Sequence, residues 1–364
     1  MKIRNLVITV AVLAALSAVA FLRSRPRSAP ASDPRVGTAV LDSDTASRAA
    51  GLTVSDQGKK VELARGADGA WRVTSYFDLP ADFDKIARFV QDLNESKVDR
   101  FVTSSPDRIG RMEFKDSAVS LRDSGGKEIW GVTLGKTPEN GNGRFIRFGA
   151  EPRAYFSGMH VWLDTDAKGW ANPQIVPMKP DEVVKIEIGF GEGAPVEVTR
   201  ARKDAPWAAA APPPGKKLSP DKVAPVLASL TALRFSDTSE ASDPAAAEAA
   251  KSARTFRLTA SDGRTVSVTL GRKPEEKRLK APVADAKEAL VPQPGVPGEK
   301  PEPKPIAPEM ETVPAGPVFA VVSSSDAKAP VNEMMRRRSF KVDDYAFTGL
   351  PQKADELFED VKAK

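Results

Sequence analysis

Hydrophobic positions along the chain fall into three patterns. The first is an unbroken run. Leu6 to Leu22 reads LVITVAVLAALSAVAFL, seventeen residues without a charge. At about 1.5 Å per residue such a helix spans roughly 25 Å, a little short of a ~30 Å hydrocarbon core. The second is alternation. Val183, Lys185 and Glu187 alternate with Val184, Ile186 and Ile188, the period-two signature of a half-buried strand. The third is helical spacing. Val223, Val226, Leu227, Leu230 and Leu233 form an i, i+3, i+4, i+7 stripe behind Ser219 as N-cap, Pro220 at the first helical position and Asp221 at the positive end of the dipole. Pro225 is tolerated because early N–H groups have no intrahelical acceptor. Asp82 with Ile86, Phe89, Val90 and Leu93 repeats the motif earlier in the chain.

That recurrence is part of a longer one, at an offset of 135 to 137 residues. Val61-Glu62-Leu63 matches Val196-Glu197-Val198, and Trp71 matches Trp207. Asp84-Lys85-Ile86 matches Asp221-Lys222-Val223, and Val132–Lys136 (VTLGK) matches Val268–Arg272 (VTLGR). Each copy opens with short strands (Leu52–Val54 and Val61–Leu63; Val183–Ile188 and Val196–Val198) and a tryptophan expected in the core. The capped helix follows, and then the chain returns to strands. The first copy has Arg111–Lys115, Ala118–Arg122, Glu128–Leu134 and Arg144–Phe148; the second has Phe256–Thr259, Val266–Leu270 and Val318–Val322. Gly, Asn and Asp turns separate them as in hairpins. The expected class is α+β, with two tandem repeat units of antiparallel sheet plus helix after an N-terminal transmembrane helix.

The expected divisions are an anchor (1–24), a linker (25–35), a first unit (36–180), a second unit (181–352) and a C-terminal tail (353–364) that is at best a short amphipathic helix. Between the last two strands of the second unit lies an insertion, 274–317, with eleven prolines among Lys and Glu. Such a composition buries too little apolar surface to offset chain entropy, so the insertion is expected to be disordered or extended, at a hairpin tip where length is tolerated.

The apolar N-terminal run has two readings. Ala18-Val19-Ala20 is a small-residue cleavage site, as in a signal peptide. The run is longer than a usual h-region, however, and Phe21 and Leu22 simply continue it, which favours an uncleaved anchor. Lys2 and Arg4 on one side nearly balance Arg23, Arg25 and Arg27 on the other, so local charge does not set the orientation. The expected location is the cytoplasmic (inner) membrane, single-pass, with the bulk of the chain in the periplasm or outside the cell, and with membrane lipid contacted through the N-terminal helix.

Composition removes several chemistries. Lys+Arg exceeds Asp+Glu by 54 − 49 = 5 over 364 residues, too weak and too dispersed to point to nucleic acid. The chain has no cysteine and one histidine, His160, so thiolate catalysis and disulfides are excluded, and multi-imidazole zinc and histidine-based triads are disfavoured.

Taken together, the N-terminal anchor, the strand Gly69-Ala70-Trp71-Arg72-Val73 before Leu79-Pro80-Ala81-Asp82, the capped helix and the Val132–Lys136 strand end resemble the bacterial family of domain of unknown function 4340. Arg153-Ala154-Tyr155, Val161-Trp162-Leu163 and Trp170 are similar too. The resemblance brings no established catalytic residues to carry over. It implies an accessory subunit beside the permease of an ABC transporter of the gliding-motility or auxiliary envelope type. The proline-rich insertion and the degraded second copy depart from the pattern.

The remaining clusters are read plainly. Gly189-Phe190-Gly191-Glu192-Gly193 joins two strands and opens no helix, so it is a turn rather than a phosphate loop. His160 with Asp164 and Asp166 could bind a cation, but sits in an expected turn. No serine elbow with a plausible base emerges. No catalytic, cofactor or metal residue is therefore expected. The candidate partner or ligand contacts are Trp162 and Trp170 and the basic run Arg336, Arg337 and Arg338, whose planar forks suit phosphates and carboxylates. The function expected is that of a non-catalytic accessory or scaffold subunit; the alternative is an envelope binding protein for a polysaccharide, peptide or lipid.

Overall fold

The computed structural model describes residues 33–139, 141–191, 193–279 and 310–361. The expected anchor, most of the linker, the middle of the insertion and the last three residues lie outside them. Among the described residues no helix is long and apolar enough to cross a membrane. The chain divides into two compact units between Asn172 and Pro173, ahead of the expected boundary at 180. Pro173 O accepts from Phe235 N (2.9 Å) and Ile175 N donates to Leu233 O (3.1 Å), which ties that stretch to the second unit.

The first unit opens with a short helix, α1 (Ser43–Ser47). Four strands follow: β1 (Gly51–Asp56), β2 (Lys59–Arg65), β3 (Trp71–Val73) and β4 (Leu79–Pro80). Next come helix α2 (Phe83–Glu95), strand β5 (Arg100–Thr103) and helix α3 (Pro106–Gly110). The unit closes with β6 (Ala118–Arg122), β7 (Glu128–Leu134), β8 (Arg144–Phe148) and β9 (Ala154–Ser157). Among the described residues these strands make one antiparallel sheet in the order β4-β3-β2-β1-β6-β7-β8-β9-β5. Register aligns apolar side chains in rows. Val61, Val54, Val119, Val132 and Phe148 are successive partners across five strands, and Leu63, Leu52 and Leu121 form the row beside them. The buried side chains of α2, Ile86, Phe89 and Leu93, supply its apolar stripe. Asp82 caps α2, accepting from Lys85 N at 3.1 Å.

The second unit contains β10 (Val183–Gly189), β11 (Val196–Thr199), β12 (Ala208–Ala209), β13 (Lys216–Leu218), α4 (Pro220–Thr231), β14 (Phe235–Glu240) and α5 (Pro244–Ala250). It continues with β15 (Ala253–Ala260), β16 (Thr265–Arg272), β17 (Glu276–Leu279), β18 (Met310–Val313) and β19 (Val318–Ser324). It ends with α6 (Pro330–Arg337), β20 (Arg338–Val342), α7 (Asp344–Thr348) and β21 (Phe358–Asp360). Its main sheet has the order β12-β11-β10-β15-β16-β19-β20-β14. Strand for strand this is the path of β3-β2-β1-β6-β7-β8-β9-β5, with α4 in the place of α2. Both units are thus α+β, built on antiparallel sheets.

Three expectations need correction. Arg111–Lys115 is not a strand: Arg111 ends α3, and Met112 turns back so that its carbonyl accepts from Lys136 N (2.8 Å). The ends of the proline-rich insertion are ordered, because Glu276–Leu279 pairs with Met310–Val313. The described part of the tail, 353–361, is not an amphipathic helix. Ala354–Leu357 is a single 3₁₀ turn, and β21 pairs with β13, burying Leu357 and Phe358.

The recurring leucine–glycine strand end has a steric cause. A Cβ at Gly135 would meet the Met112 carbonyl oxygen, and one at Gly271 would collide with the carbonyl of Ala249, at the end of α5. Each glycine lets the segment after the β5- or β14-type edge strand close onto the central sheet. Gly271→Ala is expected to destabilise the protein by about 1–3 kcal/mol through overpacking against backbone. A thermal melt checks this, and a wild-type midpoint would refute it.

A candidate binding cleft in the first unit

The residues singled out from sequence do not form one site. Residues 159–163 run extended, with Met159, Val161 and Leu163 buried and His160 and Trp162 outward; Trp162 is 82% exposed. Trp170 is fully buried and offers no surface, contrary to expectation. It meets Phe89 edge-on at 5.4 Å between centroids, its indole N–H donates to Asp164 O (3.0 Å), and the Lys85 ammonium lies 4.6 Å from its ring centre. Asp164 pairs with that ammonium at 2.5 Å. Burial pushes the Asp164 carboxyl up, but the Lys85 and Asp166 hydrogen bonds and the Lys85 charge outweigh it, so it lies below its ordinary value. Among the described residues no group of His, Asp or Glu is arranged to hold a metal.

The basic run also splits. Arg336 and Arg337 are exposed on α6, and both pair with Glu333. Arg338 is the first residue of β20, and strand geometry turns it inward. It is buried and pairs with Glu240 at 2.5 Å, so it is no part of an outer basic patch.

The concave site that does form was not legible from sequence. In the β2–β3 ladder Arg65 stands opposite Trp71, which places both side chains on one face of the sheet, beside α2, with Arg65 exposed. The intervening loop closes tightly: Gly69 takes φ +80°, a left-handed conformation suited to glycine, and Arg65 Nε donates to its carbonyl (3.1 Å). Alongside, α2 carries a second apolar line, Phe83, Ala87 and Val90, outside its core stripe. Phe83 is 62% exposed. Ala46 and Ala49, at and just beyond α1, form the opposite lip, with Leu52 and Leu121 as floor. The result is an apolar cleft of about 540 Å³ in which Arg65 is, among the described residues, the one charged lining group. Trp71, expected in the core, is half-buried and forms its wall.

Arg65 is exposed at the cleft's rim, and among the described residues no carboxylate pairs with it. Asp68, three residues on, holds Arg72 instead (2.6 and 3.1 Å). The Arg72 hydrogen bond, then the Ala70 N–H, lower the Asp68 carboxyl from 3.8 to about 2. A depressed carboxylate stabilises the fold above its unfolded value and loses that contribution as pH falls through its folded value. Side-chain carboxyl NMR is therefore expected to give Asp68 a midpoint of about 2. An ordinary aspartate midpoint would refute the Asp68–Arg72 clasp.

The matching pair in the second unit is closed. Arg200 and Trp207 lie one residue beyond the ladder pair Thr199 and Ala208. The Arg200 guanidinium donates to Val183 O, Lys203 O and Pro180 O (2.6–2.7 Å) and sits 4.7 Å from the Trp207 ring centre.

The family model described as Domain of unknown function (DUF4340) matches residues 71–252, half of the 364-residue chain. The match begins at the cleft tryptophan and ends just before β15. No curated protein and no solved structure gives a match.

Proposed function

The chain belongs to the DUF4340 family, and from that premise we propose that it is a non-catalytic, membrane-tethered envelope protein with the first unit's cleft as its binding surface. Its role is that of an accessory or scaffold subunit of an ABC-transporter-like complex. Leu6–Leu22 is the tether, and the two units, tandem copies of one α+β module, stand outside the cytoplasmic membrane. The observation that carries the reading is the cleft itself: an apolar recess rimmed by Trp71 and Phe83, whose lining supplies one guanidinium and no paired nucleophile and base. The shared strand order supports the tandem copies. The transporter partner is supported by the family resemblance.

Affinity purification of the tagged full chain from detergent extract tests the role. Permease and ATPase subunits are expected to co-purify in defined ratio. Recovery of the full-length chain alone would refute it. A second reading, an envelope binding protein for a polysaccharide, peptide or lipid, draws on the exposure of Trp162 beside His160. Under that reading Trp162→Ala abolishes ligand capture, while transporter subunits never co-purify.

A further inference from the structure

We propose that the first unit's cleft holds the hydrocarbon chain of an acyl carboxylate whose carboxylate is gripped by Arg65. This rests on reading the cleft as the binding surface and names what fills it.

The walls select hydrocarbon. Several polar groups along them are already engaged within the chain. The Ser47 hydroxyl donates to Asp44 O (2.8 Å), Ala70 N donates to Asp68 Oδ1 (3.1 Å), and Trp71 O accepts from Ala81 N (2.8 Å). The Ala70 carbonyl accepts from Gly66 N (2.8 Å). A peptide laid in the cleft would bring a series of amides and carbonyls against largely apolar walls, and burying an unpaired amide is costly. A sugar would bring hydroxyls with the same defect. A run of methylenes brings neither, and a recess of about 540 Å³ lies within the range of small-ligand sites.

Arg65 selects the head. Its Nε is spent on Gly69 O, while no carboxylate pairs with it among the described residues, Asp68 being committed to Arg72. The remaining guanidinium N–H groups form a planar fork that matches a carboxylate at two points. The second unit supplies the contrast: its corresponding arginine is consumed by three carbonyls and laid over its tryptophan. One sheet position carries the same two residue types in both units, closed in one and open in the other.

Calorimetric titration of the full-length protein with dodecanoate below its micelle concentration tests this, beside dodecan-1-ol and dodecyltrimethylammonium, which share its tail. Dodecanoate is expected to bind saturably, one per chain, and about tenfold or more tighter than the alcohol, the scale of one charge-assisted hydrogen bond. Arg65→Gln is expected to erase that preference and leave alcohol binding unchanged. Ala87→Trp, at an exposed position lining the cleft, is expected to abolish binding of both with an unchanged melting temperature. Equal affinity for dodecanoate and the alcohol, tighter binding of the cation, or undiminished binding to Ala87→Trp overturns the proposal. Partner co-purification is scored separately. Dodecanoate binding without co-purified transporter subunits keeps this inference and removes the accessory role; the reverse result removes this inference alone.

Discussion

Trp170→Ala is expected to cost about 3–5 kcal/mol, the range for truncating a buried aromatic to alanine. Three losses combine in it. The indole ring is fully buried, so its removal opens a cavity between α2 and the segment before Asn172. The edge-on contact with Phe89 disappears, and with it the ring beneath the Lys85 ammonium. Asp164 O loses its indole donor. The Trp170 carbonyl accepts from Asp82 N (2.8 Å), so the loop that carries the ring also anchors the cap of α2, and damage spreads to the helix that walls the cleft. Urea unfolding followed by far-UV circular dichroism measures this as a fall in the first unit's midpoint. A shift equivalent to less than about 1 kcal/mol would contradict the packing described, since surface substitutions typically stay within ±0.5 kcal/mol.

Arg254→Met is expected to release the C-terminal segment of the second unit. Arg254, on β15, is 5% exposed and donates to the carbonyls of Phe347, Leu350 and Pro351 at 2.6–3.0 Å, with the Phe347 ring 4.0 Å from its guanidinium carbon. Methionine fills part of the volume but donates nothing, leaving the Leu350 and Pro351 carbonyls without their guanidinium donor and Phe347 O with backbone donors alone, a loss of about 3 kcal/mol or more when hydrogen bonds to a charged group are each worth roughly 1.5–3. Trp207 is the one tryptophan after Asn172 and reports on the second unit. The expected result is faster proteolysis between 344 and 361 and a lower unfolding midpoint by Trp207 fluorescence, with the first unit's transition unmoved. Wild-type cleavage rates would refute the clamp.

The elements read most directly from sequence are those whose burial follows a local period. Glu128–Leu134 and Arg144–Phe148 appear as strands with the expected ends, because hairpin turns bound them and alternate residues meet the core. The capped α2 follows from Asp82 and its stripe. Ser219 occupies the N-cap of α4, but its side chain makes no capping bond. Elsewhere local pattern and tertiary role diverge. Trp170 lies in a 3₁₀ turn without periodicity, so only the fold shows that Phe89 and Lys85 enclose it. Arg336–Arg338 is uniform in sequence, yet the change from helix to strand falls inside it and sends the third arginine inward. Trp71 matches Trp207 in sequence, but their arginines take different partners, and the loops beside them differ in length: Gly66–Ala70 in one unit and Arg200–Trp207 in the other. Val90 is expected in the core stripe of α2, but only Ile86, Phe89 and Leu93 are buried there, and Val90 joins Phe83 and Ala87 along the cleft.

Fluorine NMR of the full chain labelled with 5-fluorotryptophan tests the central claim, an open Trp71 beside an exposed Arg65 and a closed Trp207 under Arg200. Five tryptophans give five assignable resonances. On titration with dodecanoate the Trp71 resonance is predicted to shift saturably, while those of Trp162, Trp170 and Trp207 hold still. Saturable movement of Trp162 or Trp207 with Trp71 unmoved would contradict it.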